Sequence, residues 1–273
     1  MNLANQIVLL TGASRGIGVA IARDLGKAGA HVVLTARDLA GLERVAAEVR
    51  VAGGKATVVA ADVSTAEGRA TIVTALDAVG PVLAFVSNAG LEVPTAVHEQ
   101  THAQIEKQIA VNLTGPILLT RALLPGMIAR GKGAIALVSS MSGKSPTPFN
   151  AIYSATKHGL NGFASSLRIE LDGTGVHAGV VCPSFVAEAG MWHDTGLAAP
   201  GMMREVPLAK VVAAVRAVLG GKGEVLVTPS PVRPLLALAQ LIPGLDGPVL
   251  RALGVMTTLK SRARTTIEKG ASE

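Results

Sequence analysis

Apolar runs alternate with longer amphipathic stretches along this chain. Residues 6–11, QIVLLT, are apolar almost without interruption, the pattern of a strand buried on both faces rather than one with a wet side. Segments 31–36, 56–62, 82–88, 133–140, 176–183 and 224–228 read the same way. Between them, helical spacing of apolar positions predicts helices near 16–29, 38–52, 65–79, 151–173 and 207–219, with two helical stretches in 102–130. Buried strands alternating with helices imply right-handed crossovers and a parallel sheet. The expected fold is a doubly wound α/β sheet of about seven strands, with ligands bound where the strands' carboxyl ends emerge. The regular pattern stops at 228, so one domain is expected over 1–228. Residues 229–273 form an apolar, partly helical extension with a basic end.

Composition narrows the class. Hydrophobic residues make up 49% and charged residues 16%, which suits a packed globule and excludes a disordered chain. Aromatics are only 2%, so aliphatic side chains and alanine must fill the core. The single cysteine, Cys182, permits no internal disulfide and no cysteine metal cluster, and its strand context predicts burial. The net charge of +6 lacks interleaved stacking aromatics, so a nucleic-acid partner is not expected. The amino-terminal residues run directly into a strand pattern without a basic leader, and no uninterrupted apolar run reaches the ~18 residues of a membrane span. A cytoplasmic location is the expectation.

The first strand leads into Thr11-Gly12-Ala13-Ser14-Arg15-Gly16-Ile17-Gly18 and then a helix. Glycines let backbone approach a pyrophosphate, and a helix N-terminus offers free N–H groups and a favourable dipole. Further along stand Asp62-Val63 after the third strand, Asn88-Ala89-Gly90 after the fourth, then Asn112, Ser140 and Tyr153-Ser154-Ala155-Thr156-Lys157. Taken in this order, over about residues 5–228, these motifs resemble the short-chain dehydrogenase/reductase family. The resemblance implies a Rossmann-type fold, a nicotinamide dinucleotide cofactor, a small-molecule carbonyl or alcohol substrate, no metal, and a homo-oligomer (dimer or tetramer). It places Asp62 near the adenine and Pro183 and Val186 beside the nicotinamide.

Charge bears on which dinucleotide binds. Enzymes that use NAD usually carry an acid near the end of the second strand for the ribose 2′-hydroxyl. Here that segment is Leu34-Thr35-Ala36-Arg37, and Arg37 and Arg15 are candidate clamps for a 2′-phosphate. Asp38, next in sequence, is expected to cap a helix and point elsewhere. NADP(H) is therefore expected in preference to NAD(H).

Tyr153 and Lys157 lie four residues apart on a predicted helix and share a face. A lysine ammonium beside a phenol favours the phenolate, so a lowered tyrosine pKa is expected, giving a usable acid–base group. By resemblance, Ser140 rather than its neighbour Ser139 bonds the substrate oxygen, Asn112 positions a water that links Lys157 to solvent, and Lys157 binds the nicotinamide ribose. A cofactor sensor without catalysis is the alternative that keeps the same fold.

Two regions depart from the family pattern. After the sixth strand the family commonly shows P-G-x-V-x-T, whereas this chain reads Pro183-Ser184-Phe185-Val186-Ala187-Glu188. The missing threonine usually contacts the nicotinamide carboxamide, and Glu188 is expected to be a solvent-facing loop charge. Loop 184–206 should cover the substrate, with Met191, Trp192, Met202 and Met203 either lining it for a bulky apolar molecule or packing as a lid on its own core. The extension, PLLALAQLI and then PVLRALGVMTTL, could cover the active site, pack between subunits, or touch a membrane surface through Lys260, Arg262 and Arg264 in a lipid-metabolising reductase.

Overall fold

The computed structural model describes residues 1–200, 203–229, 242 and 244–270, with backbone alone for 266–270. Among these, seven strands form one sheet: β1 (Ile7–Thr11), β2 (His31–Ala36), β3 (Lys55–Ala60), β4 (Val82–Ser87), β5 (Gly133–Val138), β6 (Val176–Pro183) and β7 (Glu224–Val227). Every pairing is parallel, in the order β3-β2-β1-β4-β5-β6-β7. This is the doubly wound sheet expected from the apolar strands. The order reverses between β1 and β4, where Thr11 pairs with Ser87, and helices leave to opposite faces there, opening a crevice at the strands' carboxyl ends.

Side-chain alternation along each strand divides the core in two. Val8 and Leu10 pack with Val32, Leu34 and Val86 beneath α1 (Ile17–Lys27), α2 (Leu39–Val51) and α7 (Leu208–Leu219). Leu9, Phe85, Ile135 and Leu137 face the other side, against α3 (Ala66–Val79), α5 (Gly115–Ala129) and α6 (Ala151–Glu170). Burial on both faces explains why the strands read as continuous apolar runs.

The two helical stretches expected in 102–130 form a continuous rod. A π-helical segment, Ala110–Thr114, joins α4 (His102–Ile109) to α5. By length and composition His102–Ala129 could span a membrane; in this fold α5 packs on β4 and β5 as an ordinary layer of the sandwich. The extension contributes α8 (Asp246–Ala252) and α9 (Val255–Gly270). Leu250, Leu253, Val255 and Leu259 are buried in the same core cluster as Phe85 and Leu160. Most of the apolar run 234–242 lies outside the described residues, as does Met202.

Candidate active site

The turn after β1 is shaped by what glycine omits. Gly12 has φ +65°, and a Cβ there would stand 2.7 Å from the Cα of Ala89. A Cβ on Gly18 would stand 2.0 Å from the carbonyl oxygen of Gly12, so α1 can pack under the turn only without a side chain. Asn88 and Ala89 fix the turn from the neighbouring strand. Their N–H groups both donate to Thr11 Oγ1 at 3.1 Å, and Asn88 Nδ2 donates to the Gly12 carbonyl at 3.0 Å. Gly16 is the N-cap of α1 and supplies no side-chain cap, which leaves first-turn N–H groups available to an anion.

A crevice runs from this turn across the sheet edge. Gly12, Ser14, Arg15, Gly16 and Ile17 line one side, Arg37, Asp62 and Val63 another, and Asn88, Ala89 and Gly90 the floor. Gly18 does not line it; it supports the turn from behind. Arg15 and Arg37 are exposed at the rim, and among the described residues neither is in an ion pair. Asp38 caps α2, accepting from the Gly41 N–H at 3.0 Å, as its position after β2 predicts. Asp62 accepts from Lys107 Nζ at 2.7 Å and from the Ser64 hydroxyl at 2.6 Å. Partial burial works to raise its pKa, but these bonds and the lysine charge outweigh it and hold the carboxyl down at about 2. An uncapped helix end, a glycine turn and two uncommitted guanidiniums fit a phosphorylated dinucleotide.

A second cavity opens beside the first, and Ile17, Asn88, Gly90, Gly190 and Met191 line both. Its wall carries Ser140, Tyr153, Lys157, Pro183 and Val186. Ser140 follows β5, its Oγ accepting from the Ser142 N–H at 3.1 Å. Its side chain also favours ionisation of the Tyr153 hydroxyl. Ser139 instead donates to the backbone carbonyl of Lys157 at 3.3 Å, anchoring α6. Lys157 Nζ donates to the Val138 carbonyl at 2.9 Å and stands 5.5 Å from the Tyr153 ring centroid.

The electrostatics correct one expectation. Burial raises the Tyr153 pKa well above its ordinary value, and the Glu92 charge adds to this; the Ser140 side chain and Arg262 act in the opposite direction. Lys157 lies over the ring and bonds Val138, so it does not overcome desolvation of the phenolate. Burial lowers Lys157 itself to about 8. A cationic group entering the cavity would act against the desolvation of the phenolate.

Asn112 sits within the π-helical segment, fully buried and outside both cavity linings. Its Oδ1 accepts from the Leu91 N–H at 2.8 Å, while Nδ2 donates to the Leu91 carbonyl at 2.7 Å and to Thr156 Oγ1 at 3.2 Å. The amide thus ties the segment after β4 to the helix that carries Tyr153.

The far wall of the second cavity joins loop 184–206 to the extension. Trp192 is buried, packs on Phe185 at 4.3 Å between centroids, and directs its indole N–H to Glu205 at 3.3 Å. Met191 and Met203 line the wall, as do Leu250, Val255, Leu259 and Arg262 from α8 and α9. Arg262 pairs with Glu92, donates to the Met191 carbonyl at 3.3 Å and lies 5.5 Å from the Trp192 ring centroid. Glu92 also accepts from Asn150 Nδ2 at 2.7 Å. Glu92, Asn150 and Arg262 all line this cavity, and no local motif marks any of them; His193, in loop 184–206, is exposed.

These residues can be set beside known proteins. The family model for short chain dehydrogenases matches residues 6–198. The chain belongs to the short-chain dehydrogenase family. It is accordingly an oxidoreductase acting on alcohol and ketone groups. The ketoacyl reductase HetN of a Nostoc species is 38% identical over 98% of this chain and 96% of its own length, so the similarity extends through the carboxyl-terminal helices. A metagenomic short-chain oxidoreductase in complex with NADP is 38% identical, with a TM-score of 0.72 over 84% of this chain and 99% of that one. A 3-oxoacyl (acyl-carrier-protein) reductase of Agrobacterium tumefaciens with NADP bound is 26% identical, with a TM-score of 0.75 over 83% of this chain and 94% of the other.

Within this short-chain dehydrogenase, the departures after β6 take definite places. Glu188 is exposed and accepts from the Leu208 N–H at 2.7 Å, capping the start of α7 and staying out of the cavity lining. Ser184 does line the cavity, and among the described residues its buried Oγ has no hydrogen-bond partner. A buried hydroxyl left unpaired is costly, which suits a partner delivered by a ligand.

Proposed function

We propose that this protein is an NADP(H)-dependent reductase of apolar ketones, with 3-ketoacyl compounds as the leading substrate class. The observation that carries the reading is that Ser140, Tyr153 and Lys157 line one apolar cavity that shares its edge with a dinucleotide crevice. The glycine turn and the α1 N-terminus would hold the pyrophosphate, with Arg15 and Arg37 on the 2′-phosphate and Asp62 toward the adenine. Lys157 would hold the nicotinamide ribose. The bound nicotinamide supplies hydride to a carbonyl carbon, or takes it from an alcohol in the reverse direction.

The protein's own part is proton handling and orientation. Ser140 holds the substrate oxygen where negative charge develops. Tyr153 Oη gives its proton to that oxygen in reduction and recovers one afterwards. Burial keeps the Tyr153 proton in place until a base forms beside it, which suits a general acid in the reduction direction. Lys157, brought down to about 8 by burial, retains most of its proton at neutral pH and stabilises the transient phenolate. Asn112 holds the helix segments that set these positions. The ketoacyl preference draws on the reductase from Nostoc, whose similarity covers nearly the whole chain, and on the apolar far wall.

Tyr153→Phe tests the reading. Turnover of ketones with NADPH should fall about 10²–10⁴-fold, the usual worth of a general acid, while NADPH affinity measured by fluorescence titration stays within a few-fold. Undiminished turnover would remove Tyr153 from the mechanism.

A further inference from the structure

The carboxyl-terminal helix is joined to the reacting centre by a buried ion pair that the proposed mechanism does not use. Arg262 projects from α9 into the second cavity, paired with Glu92 from the segment after β4, with both side chains at least nine-tenths buried. It also donates to the Met191 carbonyl and lies over the face of Trp192, two loop residues that wall the cavity. Glu92 is in turn held by Asn150, the N-cap of α6, three residues before Tyr153. One chain of contacts thus runs from the extension, through Arg262 and Glu92, to the first turn of the helix carrying the proposed acid. On the same helix, Val255 and Leu259 present an apolar surface to the cavity, joined by Leu250 of α8.

Burying a guanidinium and a carboxylate is costly unless geometry and partners are good, and replacing such a pair with apolar groups is often neutral or stabilising. A tail that only needed to cover apolar core could use leucine at both positions. We propose that Arg262 is a positioning residue for substrate specificity: anchored by Glu92 and Trp192, it holds α8 and α9 as the closed apolar wall against which the alkyl chain of the substrate lies. This deepens the ketone-reductase reading and rests on it. The wall is mainly aliphatic, methionine and aromatic, with the Arg262 and Glu92 charges paired to each other, so the chain it selects is an alkyl or acyl chain rather than a sugar or a charged group. Each methylene buried against it is worth up to about fourfold in kcat/KM (~0.8 kcal/mol).

The experiment measures kcat/KM with NADPH over straight-chain ketones and 3-ketoacyl thioesters of N-acetylcysteamine, lengthened one methylene at a time. In the unmodified protein log kcat/KM should climb with chain length. In Arg262→Ala the climb should flatten, through KM more than kcat. Arg262→Lys should restore part of the slope. A Glu92→Gln/Arg262→Met pair, which leaves no charge unpaired, guards against simple misfolding, and NADPH affinity and thermal melting report whether each variant is folded. An unchanged slope in folded variants overturns the proposal. Turnover of none of these substrates by the unmodified protein, with either dinucleotide, defeats the ketone-reductase reading instead.

A second readout separates positioning from bulk packing. The charged or titratable groups acting on Tyr153 are Lys157 from its own helix, Glu92 from the segment after β4, Cys182 from β6 and Arg262 from α9. Loss of the Arg262 charge leaves Glu92 to disfavour the phenolate, and loss of the Glu92 charge leaves Arg262 to favour it. In alcohol oxidation, where the phenolate is the active form, the rising limb of the pH profile should move to higher pH in Arg262→Met and to lower pH in Glu92→Gln. Shifts of the same sign, or none, count against an ion pair acting at the reacting centre.

Discussion

At the scale of single residues, the proposed choice of NADP(H) rests on two side chains that no ion pair engages among the described residues. Arg15 and Arg37 stand exposed at the crevice rim, while the nearby Asp38 is committed to the α2 N-terminus. Arg37→Asp should therefore reverse the preference. It places a carboxylate where a 2′-phosphate would sit, which should weaken NADPH binding about 10–100-fold and favour NADH, in line with the worth of a charge-assisted contact. Unchanged selectivity in titrations with both dinucleotides would count against the assignment. We propose a smaller contribution from Ser184. Its hydroxyl, unpartnered among the described residues, lines the cavity where the family pattern has glycine, so it can take up the amide contact that the absent threonine leaves open. Ser184→Ala should weaken NADPH binding by roughly fivefold, the worth of about one neutral hydrogen bond, with little change in melting temperature. An affinity equal to that of the unmodified protein would show that Ser184 makes no such contact.

At the scale of elements, the β1–α1 unit tolerates almost no added volume. Gly18→Ala would drive a methyl group into the Gly12 carbonyl, an atom that cannot move without displacing Asn88 as well. The expected cost is about 1–3 kcal/mol of stability, seen as a lower Tm, together with at least tenfold weaker NADPH binding because the turn itself must shift. An unaltered turn with normal affinity would mean that α1 can slide. The strands and this turn were legible in the sequence because their signals are local: uninterrupted apolar runs, fixed glycine spacing, and a tyrosine and lysine one helical turn apart. The π-helical segment was not, since Asn112 in a helical pattern does not state which backbone bonds it replaces. Nor was the far wall. Glu92 and Arg262 are 170 residues apart, and each looks like an ordinary surface charge until the fold brings them together. The Tyr153 environment escaped for the same reason: helix spacing places Lys157 on the correct face but does not reveal that its ammonium is turned to Val138.

At the scale of the whole molecule, two cavities meet at the one place where the strand order reverses. The dinucleotide crevice takes most of its residues from the first half of the chain and the apolar cleft most of its own from the second, closed by α8 and α9. The uncommitted guanidiniums at the crevice rim have a consequence for encounter as well as selectivity. They are exposed, on a molecule with a net charge of +6, so their attraction for a 2′-phosphate acts through solvent, and dissolved ions damp it over a Debye length of about 8 Å at physiological ionic strength. Added salt should therefore weaken NADPH capture more than NADH capture, and the ratio of the two dissociation constants should shrink as ionic strength rises. Parallel losses for both dinucleotides would place the discrimination elsewhere than at the rim. If the ratio does shrink, the choice between cofactors is not a fixed property of the fold but one set jointly by the protein and the ionic medium around it.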